Sequence, residues 1–295
     1  MVFPRMSALA EVLWTQKDKR NWNDFEKRLQ TQFKRYDLWK ANYSKASFEL
    51  KASILPAPNN QGLVWKIESK NKGDSLMFHN FPKDAACIDF TDGKKKSKLE
   101  KIGYYAAPYS KLLKCSGSYG YKLVKRAMEF PLLMQDFFFN KATGKKVSMT
   151  ATPNEKYPGQ GGAFSLVNGV YSRKGLSNPD WLGFIGADLE ATIDLGKSSP
   201  IDSVRMHTIN QNGSWVYLPQ YVEIFTSSDG KTFTSAGIAS EFVSDTLTMG
   251  WITVPMNKKP ARFIKLVAKN YGLIPDGQPG AGTKAWLFAD EIQVY

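Results

Sequence analysis

A mainly β chain in three parts is what this sequence predicts: an N-terminal helical segment, a small β-sandwich, and a larger β-sandwich of jelly-roll type. Three observations predict it. Apolar residues step by three and four within residues 1–44, the period of a helix with one buried face. From residue 45 onward, short runs alternate apolar and polar residues between clusters of Pro, Gly, Asn and Asp, the period of half-buried strands. The charge balance shifts near residue 150: residues 1–150 carry 28 Lys and Arg against 14 Asp and Glu, and residues 151–295 carry 12 against 13. The boundaries drawn from these signals are 1–44, 45–152 and 153–295.

Residues 1–44 read as two helices. Pro4 suits a first helical turn, where its missing N–H costs nothing. Met6, Leu9, Ala10, Leu13 and Trp14 then recur at helical spacing. "TQKDKR" breaks the run, and Asn21 can cap a second helix through its side-chain oxygen. There Trp22, Phe25, Leu29, Phe33 and Tyr36 form one apolar stripe, with Lys and Arg on the other face. Such a pair buries one side only and needs a partner surface.

The middle part holds "SFELKASIL", "GLVWKIES", "AACIDFTDG", "GYKLVKRAMEF" and "KKVSMTAT" as strand candidates, enough for a small sandwich. "DGKKKSKLEK" (92–101) reads as a solvated hairpin tip. In the last part, "SVRMHTIN" sets Val204, Met206 and Thr208 on one face, and "YVEIFTSSDGKTF" is a strand ending in an Asp229-Gly230 turn. "ARFIKLVAKN" sets Ile264, Leu266 and Ala268 opposite Phe263, Lys265 and Val267, and "DEIQVY" is a final strand. About eight strands in roughly 140 residues suit a jelly roll.

Composition narrows the function. With 42% apolar and 13% aromatic residues the 295-residue chain should fold. Its apolar runs fall short of the ~18 residues of a membrane-spanning helix. The opening "MVFPRMSALAEVLWT" makes a poor signal peptide, because Glu11 interrupts it and a basic helix follows. Cys87 and Cys115 leave a disulfide and two buried thiols equally open. With two histidines, His79 and His207, there is no zinc cluster. The net charge of +13 raises nucleic acid or another polyanion, but the basic residues are spread over 150 positions, which fits solvated surface lysine and sets nucleic acid aside. "CSGSYGY" (115–121) lacks nucleophile-elbow spacing, and "YPGQGGAF" (157–164) does not lead into a helix as a phosphate loop would. Both read as loops.

Two family resemblances follow from particular segments. "LVNGVYSRKGLSNPDWLGFIGADLEATIDLG" (166–196), "LPQYVEIFTSSDGKTF" (218–233), "ARFIKLVAKN" (261–270) and "AWLFADEIQVY" (285–295) resemble the discoidin domain, also called coagulation factor 5/8 type C, which is related to carbohydrate-binding module family 32. The resemblance implies a jelly roll that binds glycans in some members, or lipid head groups in others, at its loop tips. "FPRMSALAEVLWT" and "RNWNDFEKRLQTQFKRYDLWKANY" resemble the last helices of the barrel of bacterial glycoside hydrolase family 20, the β-N-acetylhexosaminidases. "IDFTDGKKKS…GYYAAP" (88–108) and "FFNKATGKKVSM" (138–149) resemble the chitobiase-type C-terminal β-domain that follows such barrels.

The second resemblance implies substrate-assisted hydrolysis of terminal N-acetylhexosamine through an Asp-Glu pair, an exception to the two-carboxylate scheme. Here the one Asp-Glu dipeptide is Asp290-Glu291, in the wrong domain and without the family's preceding His-x-Gly-Gly context, and a barrel needs about 250 residues. The expectation is therefore a non-catalytic C-terminal part of a hexosaminidase-like enzyme, entered just after the strand that carries the last substrate contacts, with no catalytic residue of its own. Two alternatives stay open: a free-standing binder of glycans or anionic surfaces, and a subunit completed in trans by a separate catalytic barrel.

The implied ligand is a glycan with N-acetylhexosamine or galactose-type sugars. A sugar site needs an aromatic platform with polar groups at a loop tip. Trp215, Trp181 and Trp286 are the aromatic candidates, with Asn212, Arg173 and His207 as hydrogen-bonding partners. Trp181 falls where the family has a core tryptophan, Trp286 precedes the last strand, and His207 lies inside a strand. No cofactor is required. The resemblance implies structural calcium as the metal candidate, at Asn168, Ser172 and Glu291. Asn168 stands where an Asp is usual, which removes one anionic ligand. The parent family is periplasmic, cell-surface or secreted; the opening segment does not read as a leader, so the expected compartment is left open.

Overall fold

The computed structural model describes residues 3–44, 50–70, 73–82, 103–124, 130 and 132–295. Helix α1 spans Arg5–Trp14 and α2 spans Trp22–Leu38. Asn21 caps α2 as its sequence position suggests: its Oδ1 accepts the Asp24 N–H at 3.1 Å. Phe25, Leu29, Phe33 and Tyr36 are buried. Trp22 is not, and stays 63% exposed, because at the first turn its ring lies over Phe25 and under the Lys70 ammonium rather than in the core. α1 buries no residue at all. Its predicted apolar face, Met6, Leu9, Leu13 and Trp14, faces solvent.

Seven strands follow: β1 (Lys51–Pro56), β2 (Leu63–Glu68), β3 (Ser75–Pro82), β4 (Gly103–Ala106), β5 (Tyr109–Leu113), β6 (Gly117–Val124) and β7 (Leu133–Phe137). They form two antiparallel sheets, ordered β1-β2-β5 and β4-β3-β6-β7. Alternation explains β2, where Leu63, Trp65 and Ile67 are buried and their neighbours are not. One core joins these rings and aliphatics to Tyr121, Phe137 and the buried face of α2, so the helix supplies cover that two short sheets lack. The segment read as a loop, "CSGSYGY", is largely strand: Tyr119 and Tyr121 point inward from β6, and small Gly120 lies under Met134 of the neighbouring strand and Leu132 just before it. Cys115 is disulfide-bonded. Cys87, "AACIDFTDG" and "DGKKKSKLEK" lie outside the described residues.

The remaining strands are β8 (Lys146–Met149), β9 (Leu182–Ile185), β10 (Leu189–Ile209), β11 (Val222–Ser227), β12 (Thr234–Ala239), β13 (Phe242–Thr246), β14 (Met249–Ala268) and β15 (Trp286–Val294). β8, assigned above to the middle part, pairs with β10 through Ala191↔Met149 to Asp194↔Lys146. The two long strands organise this region. The first half of β10 pairs with the second half of β14 (Leu189↔Ala268 to Asp194↔Phe263), and its second half with the first half of β14 (Ser203↔Pro255 to Ile209↔Met249), with register shifts between. β11, β12 and β8 extend one half, while β13, β15 and β9 extend the other. Two layers result, sharing both long strands. Ala191, Ile193, Val204, Met206, Ile252, Val254, Ile264 and Leu266 fill the space between them with no exposed surface. Ile264, Leu266 and Ala268 are buried as the alternation predicts, and Asp229 closes its turn by accepting the Lys231 and Thr232 N–H groups at 2.8 and 2.9 Å. Among the described residues no helix is long and apolar enough to cross a membrane.

Candidate functional site

Three of the six predicted sugar contacts gather at one tip. The turn after β10 carries Asn212, and Trp215 follows it in the left-handed region, with φ +63°. This conformation is uncommon for a bulky residue and marks a turn held from outside. The hold is visible. Trp215 O accepts the Trp286 N–H at 2.9 Å, and Tyr217 N–H returns a bond to Trp286 O at 3.0 Å. The Trp215 ring lies on Gly280 of the facing loop so closely that a Cβ there would come within 2.6 Å of it. Only glycine accommodates this contact, and Gly280 itself has φ +86°. Tyr217 stacks on Tyr271 at 4.8 Å and donates its hydroxyl to Pro279 O at 2.9 Å, tying the two loops together.

The result is a preset tip. Trp215 presents 46% of its surface, while Trp286 packs edge-on against Tyr157 behind it. Asn212 Oδ1 is buried and accepts no hydrogen bond. A buried amide oxygen without a donor is costly, and one shielded from solvent meets a ligand hydroxyl only if the turn shifts.

The other three predicted contacts lie elsewhere. His207 has no exposed surface. Trp181 stacks on it at 5.6 Å and 13°, and Tyr171 and Trp251 close the other sides at 4.9 and 4.8 Å. His207 Nδ1 lies 2.6 Å from Asp290 Oδ1. Ser172 N–H donates to Asp290 Oδ2 at 2.6 Å. His207 and Trp181 therefore pack an interior and touch no surface ligand. Arg173 lies outside this box, its guanidinium over the Tyr171 and Phe138 rings and donating to Tyr171 Oη at 3.0 Å. Sequence reading missed Tyr171, Trp251 and Asp290 as members, because pairing over 83 residues leaves no local pattern.

Asp290-Glu291, the one Asp-Glu dipeptide, is fully buried. Burial pushes both carboxyls up, Glu291 well above the ordinary range with help from the Asp290 charge, while His207 opposes the rise at Asp290. Burial also raises nearby Asp180 to about 6. Asp290 and Glu291 have no exposed surface and so no route to a substrate from solvent, whereas Asp180 is half-buried.

Glu291 decides whether the residues fit calcium. Its Oε2 accepts the Gly169 N–H at 3.2 Å; Oε1 is buried and makes no hydrogen bond of good geometry, although the Asn140 amide lies beside the carboxylate, and such an anionic oxygen suits a hard cation. Asn168 Oδ1 accepts the Val170 N–H at 2.8 Å and keeps a second lone pair. The Ser172 hydroxyl accepts the Lys174 N–H at 3.2 Å and donates to Gly175 O at 3.3 Å, which likewise leaves its oxygen one lone pair. All three residues can thus offer an oxygen. Among the described residues no group of three or more His, Cys, Asp or Glu gathers in a metal-holding arrangement.

No family model matches the chain, and no curated protein matches it. Solved structures do. The Clostridium perfringens module CpGH89CBM32-5, in complex with GalNAc-β-1,3-galactose, is 20% identical; the match covers 51% of this chain and 94% of that one, with a TM-score of 0.33. A Streptococcus pneumoniae fucose binding module is 15% identical over 54% and 95% of the two chains, with a TM-score of 0.35. The lectin domain of lectinolysin, complexed with Lewis B antigen, is 18% identical over 53% and 96%, with a TM-score of 0.36.

Proposed function

We propose that this chain is the non-catalytic, glycan-binding portion of a β-N-acetylhexosaminidase-like glycoside hydrolase, and that it contacts sugar through the Trp215 tip. The observation that carries the reading is the half-exposed Trp215 ring, braced from outside by the Trp286 backbone and the Gly280 contact. A flat aromatic face takes the C–H face of a sugar, with the polar side chains of the turn beside it. The link to a hexosaminidase rests on the resemblance of residues 3–15 and 20–43 to barrel helices. The lack of catalysis rests on the burial of Asp290 and Glu291 and on their bonds to His207, Ser172 and Gly169.

Calorimetric titration with galactose and N-acetylgalactosamine tests the binding. Trp215→Ala should weaken it at least ~10-fold, as loss of a central aromatic contact does. Unchanged affinity in that variant would remove the tip from the site. For catalysis, the chain should leave 4-nitrophenyl N-acetyl-β-glucosaminide intact; turnover that a point substitution abolishes would overturn the reading.

Calcium belongs to the same proposal, held by Glu291 and the Asn168 amide oxygen and stiffening the loop beneath residue 171. Added Ca²⁺ should then raise the melting temperature of the chain but not that of Glu291→Gln. The disulfide at Cys115 suits an oxidising compartment such as the periplasm or cell exterior. The uncovered apolar face of α1 favours one second reading, a subunit completed in trans by a separate catalytic barrel docking there. Co-purification with such a barrel, lost in Leu13→Asp, would support it.

A further inference from the structure

A cleft of about 520 Å³ lies where the middle part meets the C-terminal sandwich, away from the Trp215 tip. Four lysines line it: Lys114 beyond β5, Lys141 and Lys145 on the segment leading to β8, and Lys197 in the turn region of β10. No Asp or Glu lines it. Among the described residues, none of the four lysines forms an ion pair with a carboxylate. Lys145 Nζ instead reaches across the seam to Asn60 O at 3.3 Å. Elsewhere the molecule pairs such charges, as in Lys265–Glu190 at 2.6 Å and Lys269–Asp188 at 3.0 Å. Several ammonium groups facing one cleft repel each other, and a bound anion offsets that repulsion.

The walls are fixed. Gly144 N–H donates to Val167 O at 2.8 Å and Lys141 N–H to Val294 O at 2.9 Å, bonding the segment to the C-terminal sandwich. On the other side Gly144 abuts Gly62 so tightly that a Cβ would meet its carbonyl at 2.3 Å. Asn140 pins the floor, its Oδ1 accepting the Ala142 and Val294 N–H groups. Gln61 and Ser199 also line the cleft, and their side chains make no hydrogen bond among the described residues. Half-buried Phe139 adds one apolar face.

We propose that this cleft binds an acidic saccharide, a short sugar chain carrying carboxylate or sulfate groups. The lysines take the anionic groups, Gln61 and Ser199 take hydroxyls, and Phe139 takes a ring face. The volume lies within the range that encloses a small ligand. Single-stranded nucleic acid would call for a series of stacking aromatics, and Phe139 is the one aromatic in the lining.

The test uses the full chain and a heparin-derived tetrasaccharide, with affinity measured by calorimetry from 50 to 500 mM salt. Binding should weaken steeply with salt, as ion-pair contacts do. Lys141→Gln/Lys197→Gln should raise Kd at least ~10-fold at 50 mM salt, a factor that corresponds to loss of about 1.4 kcal/mol, with an unchanged melting temperature. Maltotetraose should not compete, and Trp215→Ala should bind the tetrasaccharide normally, which separates this cleft from the tip. Unchanged affinity in the double variant, equal competition by maltotetraose, or tighter binding of a DNA oligonucleotide through the same lysines would each overturn the proposal.

Discussion

The N-terminal helix and the C-terminal sandwich contain the same kind of apolar residue in equally regular patterns, with opposite outcomes. In α1, Leu13 and Trp14 are 71% and 89% exposed. In β14, Ile264, Leu266 and Ala268 have no exposed surface. The difference is the partner. Alternation along β14 is answered by β10 and β11, which the same chain supplies on both sides, and by the facing layer. The stripe on α1 is answered by nothing among the described residues, although α2, two turns of sequence away, finds the small sandwich. Periodicity tells which face of an element is apolar; it does not tell whether that face is covered.

Substitutions can sharpen or break this contrast. The largest effect is expected at Leu266→Ala, where a cavity opens in a closed core: a loss of about 3 kcal/mol in urea unfolding. A value near zero would mean that the sandwich is less tightly packed than its burial implies. Asp180→Asn comes next, with the opposite sign. Its carboxyl, raised to about 6 by burial, binds a proton more readily in the folded chain than in the unfolded one. Stability from this group is therefore full below its ordinary value near 3.8 and is lost as pH rises towards 6. The substitution should stabilise by on the order of 2 kcal/mol at pH 7 and by little at pH 4, since a tenfold difference in proton affinity between the folded and unfolded chain is worth about 1.4 kcal/mol. Equal effects at both pH values would contradict the assignment.

Asn21→Ala follows, costing about 1 kcal/mol by leaving the first turn of α2 uncapped. It should act on the middle part, which α2 covers, and leave the melting of the C-terminal sandwich alone. Trp14→Ala is the smallest, within about 0.5 kcal/mol of no effect, as for a surface side chain. A large loss there would show that α1 is covered in solution.

Much of the C-terminal strand layout was legible because period-two alternation is local: "SVRMHTIN", "YVEIFTSSDGKTF" and "ARFIKLVAKN" each carry their own signal. The Asn21 cap was legible for the same reason. The exposure of Trp215 was not legible: "NQNGSW" runs straight into Val216, Tyr217 and Leu218, and nothing in the spacing tells whether the ring is covered. The His207–Asp290 pair was not legible, because its members meet only after β10 and β15 pair. Nor was the lysine cleft, whose cations at 114, 141, 145 and 197 look like dispersed surface charge until the seam brings them together. β8 was placed with the wrong neighbours because four residues carry no mark of which sheet they will join.

β10 and β14 each run through both layers of the C-terminal sandwich, paired with one another along nearly their whole length. Neither layer can open without parting the same two strands. Amide protons in the two halves of each strand should therefore exchange with deuterium in one cooperative step, at a common opening free energy, while β12 and β13 at the edges exchange first.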